Sequence, residues 1–282
     1  MPELQPITPR ILVTTDFSDD SLLAFHHALA VAVAKRARLT LLHTGSESRD
    51  EVPWEQFPGV RETLATWGML EEDAPRSAVA SQLGIDVAKM AMRDDDPRQG
   101  IADYLNRHPV DLLVMATRGR SGMARILRPS VAETVAYRTR SHSLLLPDQA
   151  AGFVDGQSGV ASLQRVLCVL DPYQDPRAAL AFLRSWLPAF GAIPAEVTVV
   201  DTGNGDVFDE RQLPQIEGQT WVLRRQLGNI AEVAIELADQ VSYDLVVITG
   251  QGRLGLRARL AGSNTERILR GTRLPVLIMP GG

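Results

Sequence analysis

Two glycine-rich turns, Ala116-Thr-Arg-Gly-Arg-Ser-Gly122 and Thr249-Gly-Gln-Gly-Arg-Leu-Gly255, carry the residue types of an anion site, and each directly follows an apolar run. Glycine lets backbone N–H groups approach an anion without an intervening Cβ, and the N-terminus of a following helix adds a favourable dipole. The candidates in these turns are Thr117 and Gly119 in the first, and Thr249, Gly250 and Gly252 in the second. Asp16 and Asp171 each close another apolar run, where a carboxylate can accept from hydroxyl groups of a ligand or cap the next turn. Ser130 and Ser263 precede Glu133 and Glu266 by three positions. That spacing is a capping box, so both serines would support a helix start even in a protein that binds nothing, while their N–H groups could also face an anion.

Other chemistries find little support. Gly250-Gln-Gly-Arg-Leu-Gly255 is a literal G-x-G-x-x-G, but a dinucleotide fingerprint belongs to the first strand-to-helix turn with an acidic residue about 20 positions later. Here the triplet lies late in the chain, and Thr117 replaces its first glycine in the other turn. Neither a G-x-x-x-x-G-K-[ST] loop nor a G-x-S-x-G nucleophile turn is present. The histidines His26, His27, His43, His108 and His142 show no metal-ligand spacing, and Cys168 sits inside an apolar run as a small hydrophobe would. Arg118, Arg120, Arg125, Arg128, Arg253, Arg257 and Arg259 surround the two turns. They read as solvated loop charge that could also neutralise phosphates, and no aromatic residues interleave with them as a single-strand stacking surface would require.

The elements that must position these residues occur twice. Arg10-Ile-Leu-Val-Thr-Thr-Asp16 matches Arg165-Val-Leu-Cys-Val-Leu-Asp171, and Leu39-Thr-Leu-Leu-His-Thr-Gly45 matches Val197-Thr-Val-Val-Asp-Thr-Gly203. Val110-Asp-Leu-Leu-Val-Met115 lies over Tyr243-Asp-Leu-Val-Val-Ile248, and Ser130-Val-Ala-Glu133 over Ser263-Asn-Thr-Glu266. Blocks repeated in the same order make the chain two copies of one module. The module boundaries fall at 1–148 and 160–282, with a Gly-rich connector at 149–159. The second copy is the shorter. It lacks a counterpart of the helix expected over about Val60 to Gln82, having only Thr202 to Pro214 there.

Short runs rich in Val, Ile and Leu alternate with segments of helical period, the pattern of a parallel sheet covered on both faces. Strands are expected at 10–15, 38–44, 85–92, 110–116 and 142–146, then at 165–170, 195–201, 220–226, 244–249 and 275–279. Asp96-Pro97 and Asp175-Pro176 each read as an acidic cap before a proline at the first helical position. The fold class is therefore α/β, two tandem doubly wound five-stranded parallel-sheet domains. Such sheets bind ligands beyond the carboxyl ends of their strands, where the strand order reverses.

Composition agrees. A chain of 282 residues with 45% hydrophobic and 22% charged side chains is long enough for two cores and too apolar for disorder. A net charge of −5 is wrong for a protein whose task is to coat nucleic acid. One cysteine fits a reducing, cytoplasmic setting. The longest stretch free of charged residues, Ser21 to Ala34, is too short to span a bilayer and contains His26 and His27, and the first residues lack the pattern of a signal peptide.

The repeat resembles the universal stress protein family in its tandem-domain form. The resemblance rests on Ile11-Leu-Val-Thr-Thr-Asp-Phe-Ser18, Leu41-Leu-His43, and Asp111 to Gly122 followed by Ser130-Val-Ala-Glu133. It implies an adenine nucleotide alpha hydrolase-like fold. ATP-binding members carry G-x-x-G, nine residues, then G-[ST]. On this pattern the second copy has Thr249 for the first glycine but keeps Gly252, Gly262 and Ser263, whereas the first has Ala116 and Pro129 for glycines and keeps Gly119 and Ser130. Pro129 also removes a backbone N–H where the family's loop wraps phosphate. By resemblance, Asp16 and Asp171 would meet the ribose, the backbone near Thr44 and Thr202 the adenine edge, and Gly252, Gly262 and Ser263 the phosphates. The implied ligand is ATP or a related nucleotide, with Mg accompanying it, held better in the second copy. At most slow hydrolysis would follow. The alternative is a non-binding scaffold that acts through homo-oligomerisation and an unknown protein partner. The family also implies that Ser143 to Leu146 and Val276 to Met279 are edges through which the two copies pair like a dimer.

Overall fold

The computed structural model describes residues 8–47, 51–117, 131–139, 141–171, 175–193, 195–203, 208–249 and 264–280. In the N-terminal half the order is β1 (Arg10–Thr15), α1 (Asp19–Lys35), β2 (Arg38–Gly45), α2 (Val60–Thr66), α3 (Ala78–Leu83), β3 (Asp86–Arg93), α4 (Pro97–Arg107), β4 (Leu112–Ala116), α5 (Val131–Arg138) and β5 (His142–Leu146). The C-terminal half follows with β6 (Arg165–Leu170), α6 (Pro176–Trp186), β7 (Ala195–Asp201), β8 (Gln219–Arg225), α7 (Ile230–Gln240), β9 (Leu245–Thr249), α8 (Asn264–Gly271) and β10 (Val276–Met279). Between β7 and β8 the described residues form only a single 3-10 turn, Glu210–Gln212. The helix expected over Val60 to Gln82 is two short ones. Gly68, at φ +70, closes the first of them, its N–H bonded to the Ala65 carbonyl, and Pro75 stands before the second.

All ten strands share one sheet in the order β3-β2-β1-β4-β5-β10-β9-β6-β7-β8. Pairing within each half is parallel. The halves meet through β5 and β10, which run antiparallel with Leu145 opposite Val276, Leu144 opposite Leu277 and Ser143 opposite Ile278. Apart from the half-buried His142 at the start of β5, these strands are apolar or small and buried, so leaving either as a free edge would expose both an unpaired backbone row and an apolar face.

Helix α1 explains the long uncharged stretch in the sequence. Ser18 caps it, its Oγ accepting from the Ser21 N–H, and Arg36 ends it in the left-handed region at φ 48. Between these ends the helix packs on β1, β4 and β5 and against the 3-10 turn Leu187–Phe190 of the C-terminal half, so it is apolar nearly all round. One buried cluster on this face of the sheet therefore runs from Ile11 through Phe25 and Leu29 to Phe190 and Val199. A second core lies on the opposite face under α4, α5, α7 and α8. Asp96 and Asp175 cap α4 and α6 by accepting from the Arg98 and Arg177 N–H groups. Bonding to the Arg177 guanidinium holds the Asp175 carboxyl down to about 2. Cys168 is wholly buried in β6, and loss of solvent pushes its thiol up to about 12. Among the described residues, no helix is long and apolar enough to cross a membrane.

The connector is packed rather than a free tether. Val154 and Ala161 form an antiparallel bridge, and Phe153 and Val154 are buried. Gly159, at φ +67, lies so close to Trp67 that an added Cβ would come within 2.3 Å of the ring. The Trp67 indole N–H donates to the Gly156 carbonyl at 3.0 Å. His27 holds the other side. Its Nδ1 donates to the Leu23 carbonyl at 2.8 Å, and its Nε2 accepts from the Phe153 N–H at 3.0 Å. Protonation would turn Nε2 into a donor facing a donor, and burial lowers the His27 pKa to about 4.

That arrangement sets a pH dependence. In the unfolded chain His27 binds a proton near its ordinary value of 6.5, whereas in the fold it resists protonation down to about 4, so the unfolded state gains protons first as the pH falls. Stability should be unaffected by this group above 6.5 and should fall through the window down to 4, by up to about 3 kcal/mol. In urea unfolding at pH 7 and pH 4.5, His27→Gln, which keeps an acceptor for the Phe153 N–H, should show a shallower loss than the parent. Parallel losses in the two proteins would remove His27 as the cause.

Candidate functional site

In both halves the strand order reverses beside the first strand, between β1 and β4 in one and between β6 and β9 in the other. The C-terminal half brings three expected residues to the carboxyl ends of neighbouring strands. Asp171 follows β6, Thr202 follows β7 and Thr249 ends β9. The Asp171 N–H donates to Thr249 Oγ1 at 2.8 Å, tying the two strands together across the reversal. Thr202 Oγ1 donates to the Leu170 carbonyl at 2.9 Å, which ties β7 to the end of β6. Thr202 and Thr249 are both buried. Their hydroxyls therefore fix the backbone at the strand ends, and neither is a free surface group.

Asp16, Thr44 and Thr117 come together in the same way at the ends of β1, β2 and β4. Asp16 performs the turn role open to it from sequence: its Oδ1 accepts from the Ser18 N–H at 3.2 Å and from Ser18 Oγ at 2.5 Å. The Thr15 hydroxyl meets that of Ser21 at 3.0 Å and accepts from the Phe17 N–H at 2.9 Å. Phe17 itself sits at φ +63, an uncommon conformation for a side chain of that size. Its ring packs at 4.7 Å from His43, 5.4 Å from Trp54 and 5.8 Å from Phe57. An aromatic cluster thus lies beside the strand ends of the N-terminal half. The Thr117 N–H donates to the Leu146 carbonyl at 2.9 Å, and Thr44 Oγ1 is buried without a partner among the described residues. The Thr44 methyl lies where a Cβ on Gly100 of α4 would come within 2.6 Å, so a glycine there lets α4 approach the end of β2.

Gly119 and Ser130 in the first half, and Gly250, Gly252, Gly262 and Ser263 in the second, lie outside the described residues, as do the arginines of the two turns and Pro129. The elements that flank them are described. In each half the turn begins at the end of a buried central strand, β4 or β9, and the chain re-enters a helix at Val131 or Asn264, immediately after the serine of the capping box. Among the described residues, no group of three or more His, Cys, Asp or Glu side chains could hold a metal ion.

Two residues at the strand ends were not singled out from sequence. His43 and Asp201 occupy equivalent places, in register with the last residues of β1 and β6. His43 Nδ1 donates to the Thr15 carbonyl at 2.8 Å, leaving Nε2 buried without a hydrogen bond and 3.7 Å from Glu47 Oε2. Asp201 Oδ1 accepts from the Gly203 N–H at 2.9 Å, and its Oδ2 is buried with no donor among the described residues. A buried acceptor left unmatched costs about 1–3 kcal/mol, more when charged. The alignment of Leu39 to Gly45 with Val197 to Gly203 was the signal that could have found the pair.

Comparison with known proteins agrees with this architecture. The sequence model of the universal stress protein family matches residues 8–146 and 163–280. The universal stress protein Rv2005c of Mycobacterium tuberculosis is 24% identical over 298 residues, covering 95% of this chain and 96% of that protein. The universal stress protein MJ0531 of Methanocaldococcus jannaschii is 28% identical over 131 residues, 45% of this chain and 74% of that protein. Among solved structures, a universal stress protein of Archaeoglobus fulgidus superposes with a TM-score of 0.63 at 18% identity, covering 97% of this chain and 96% of the other. The functionally unknown protein PA1789 of Pseudomonas aeruginosa gives 0.62 at 14% identity, covering 98% and 93%. With both halves matched by the family and the full length matched by tandem relatives, the chain belongs to the universal stress protein family.

Proposed function

We propose that this protein is a cytoplasmic stress-response nucleotide-binding protein that takes ATP or a related adenine nucleotide at the end of β9, better in the C-terminal half than in the N-terminal half. The observation that carries the reading is the bond from the Asp171 N–H to Thr249 Oγ1. It ties a carboxylate-bearing residue to the start of the glycine-rich turn at the point where a doubly wound sheet takes its ligands. Asp171 would meet the sugar, the backbone near Thr202 the base, and Gly250, Gly252, Gly262 and Ser263 the phosphates. Magnesium would enter with the phosphates, which supply the oxygens that the described residues do not gather into a metal site. The chemistry of the strand ends fits such a ligand, because buried polar atoms at Thr44 and Asp201 remain without partners among the described residues.

The weaker expectation for the N-terminal half has support in the sequence of its turn. Pro129 offers no N–H to an anion. A second reading, a scaffold that works through oligomerisation and a protein partner, is favoured by Pro129 and by the shortened second copy. Native mass spectrometry of the purified protein separates the two. A retained nucleotide gives identity and stoichiometry together, and protein that carries none and takes up none when ATP is added supports the scaffold.

Two substitutions sharpen the test. Gly262→Val should abolish nucleotide retention while circular dichroism and thermal unfolding stay close to the parent; unchanged binding by calorimetry would reject the site. Asp171→Ala should weaken ATP by about tenfold or more, the worth of a charge-assisted hydrogen bond, and Asp16→Ala by less. Equal losses from the two aspartates would mean that the halves contribute alike.

A further inference from the structure

Buried polar atoms at His43 and Asp201 that have no hydrogen bond among the described residues point to a feature of the site beyond its phosphate loop. The two side chains differ in chemistry, yet both halves use them alike. Each spends one polar atom on local backbone, His43 Nδ1 on the Thr15 carbonyl and Asp201 Oδ1 on the Gly203 N–H. Each keeps the other polar atom buried without a hydrogen bond among the described residues. Nε2 of His43 lies 3.7 Å from Glu47 Oε2, so a carboxylate is already its neighbour. An ionised carboxyl is acceptor-only, so Asp201 Oδ2 is an acceptor. The last residue of β7, one strand from the reversal of strand order, therefore holds an acceptor with no donor among the described residues.

Asp201 is the clearer case. Its side chain belongs to a residue only 5% exposed, next to Thr202 in the chain and in register with Leu170, the residue before Asp171. Arg225 is in register with it on β8, but its guanidinium donates to the Phe208 carbonyl at 3.3 Å. The Gln226 N–H goes to the Asp201 carbonyl, not to the side chain. Natural folds rarely leave such an atom unmatched unless a ligand or a trapped water completes it.

We infer that Asp201 Oδ2 is a specificity-determining acceptor of the C-terminal site, receiving a hydrogen-bond donor of the bound nucleotide, either an exocyclic amine of the base or a sugar hydroxyl. This deepens the nucleotide reading and rests on it. The consequence is discrimination by donor content: a nucleotide that lacks the matching N–H or O–H leaves the carboxylate buried and unpaired, which costs more than the loss of an ordinary contact.

Titration calorimetry of the full chain tests this with four probes: ATP, purine riboside triphosphate without the amine, 2′-deoxy-ATP and 3′-deoxy-ATP. The parent should bind one of the three analogues about ten- to a hundredfold more weakly than ATP, and that analogue names the donor. Asp201→Asn keeps an oxygen for the Gly203 N–H and turns the unspent acceptor into a donor. It should lose ATP affinity by a similar factor and no longer distinguish ATP from the penalised analogue, while its thermal unfolding shows a cooperative fold. If the parent binds all four probes equally, or the variant keeps both ATP affinity and the ranking of analogues, Asp201 reads nothing and a buried water completes it. Because Asp171 and the backbone near Thr202 are also placed on sugar and base, the donor is assigned to Asp201 only by the variant read against the parent; if Asp201→Asn does not fold, Asp201→Ser, which keeps one oxygen for the Gly203 N–H, is read in the same way. A parent that binds none of the four overturns the nucleotide reading itself, and the role of Asp201 with it.

Discussion

The antiparallel pairing of β5 with β10 is the constraint on which the rest of the molecule depends. Leu144, Leu145, Val276 and Leu277 are buried in this seam, and all come from strands that would otherwise be sheet edges. Closing one edge against the other makes a single ten-stranded sheet from two five-stranded ones, and it brings α1 against the 3-10 turn Leu187–Phe190 so that the cores on that face merge. Each half therefore holds the other's apolar surface out of water. The connector reinforces this from the flank: Phe153 packs at 4.6 Å from His27 and 5.9 Å from Phe190, touching both halves at once.

Against that shared frame, the two candidate sites are built to the same plan with different side chains. The reversal of strand order puts Asp16 beside Thr117 and Asp171 beside Thr249 without any sequence proximity, because β1 neighbours β4 and β6 neighbours β9. Locally the halves diverge. A histidine in the first half reaches the Thr15 carbonyl that closes β1, whereas in the second half Thr202 reaches the corresponding Leu170 carbonyl, and Oδ2 of the aspartate before it has no donor among the described residues. The aromatic packing of Phe17 with His43 and Trp54 has no equivalent among the described residues of the second half. Duplication followed by separate solutions to the same hydrogen-bonding problem accounts for a pair of sites that share geometry and differ in chemistry.

Much of this could be read from the chain alone. The repeat, the ten strands to within two residues at each end, and the proline-containing caps at Asp96 and Asp175 all rest on local patterns: apolar runs of strand length, and acidic residues placed to meet exposed N–H groups at a helix start. Asp16, Asp171, Thr117 and Thr249 followed from the rule that ligands gather beyond strand ends. The split of the Val60 to Gln82 segment into α2 and α3 was signalled by Gly68 and Pro75, whose effect on chain direction outweighed the helical period around them.

What the linear order determined, then, was which segments bury a face and which residues stand where those segments end, since both depend on neighbours a few positions away. Tertiary structure alone decided that the connector is clamped between His27 and Trp67, that α1 is apolar nearly all round because a second half covers it, and that Oδ2 of Asp201 is buried without a donor among the described residues. The physical reason is that satisfaction of a polar group is an account kept in three dimensions: whether an oxygen has a donor depends on every element packed around it, and no period or motif along the chain records that sum.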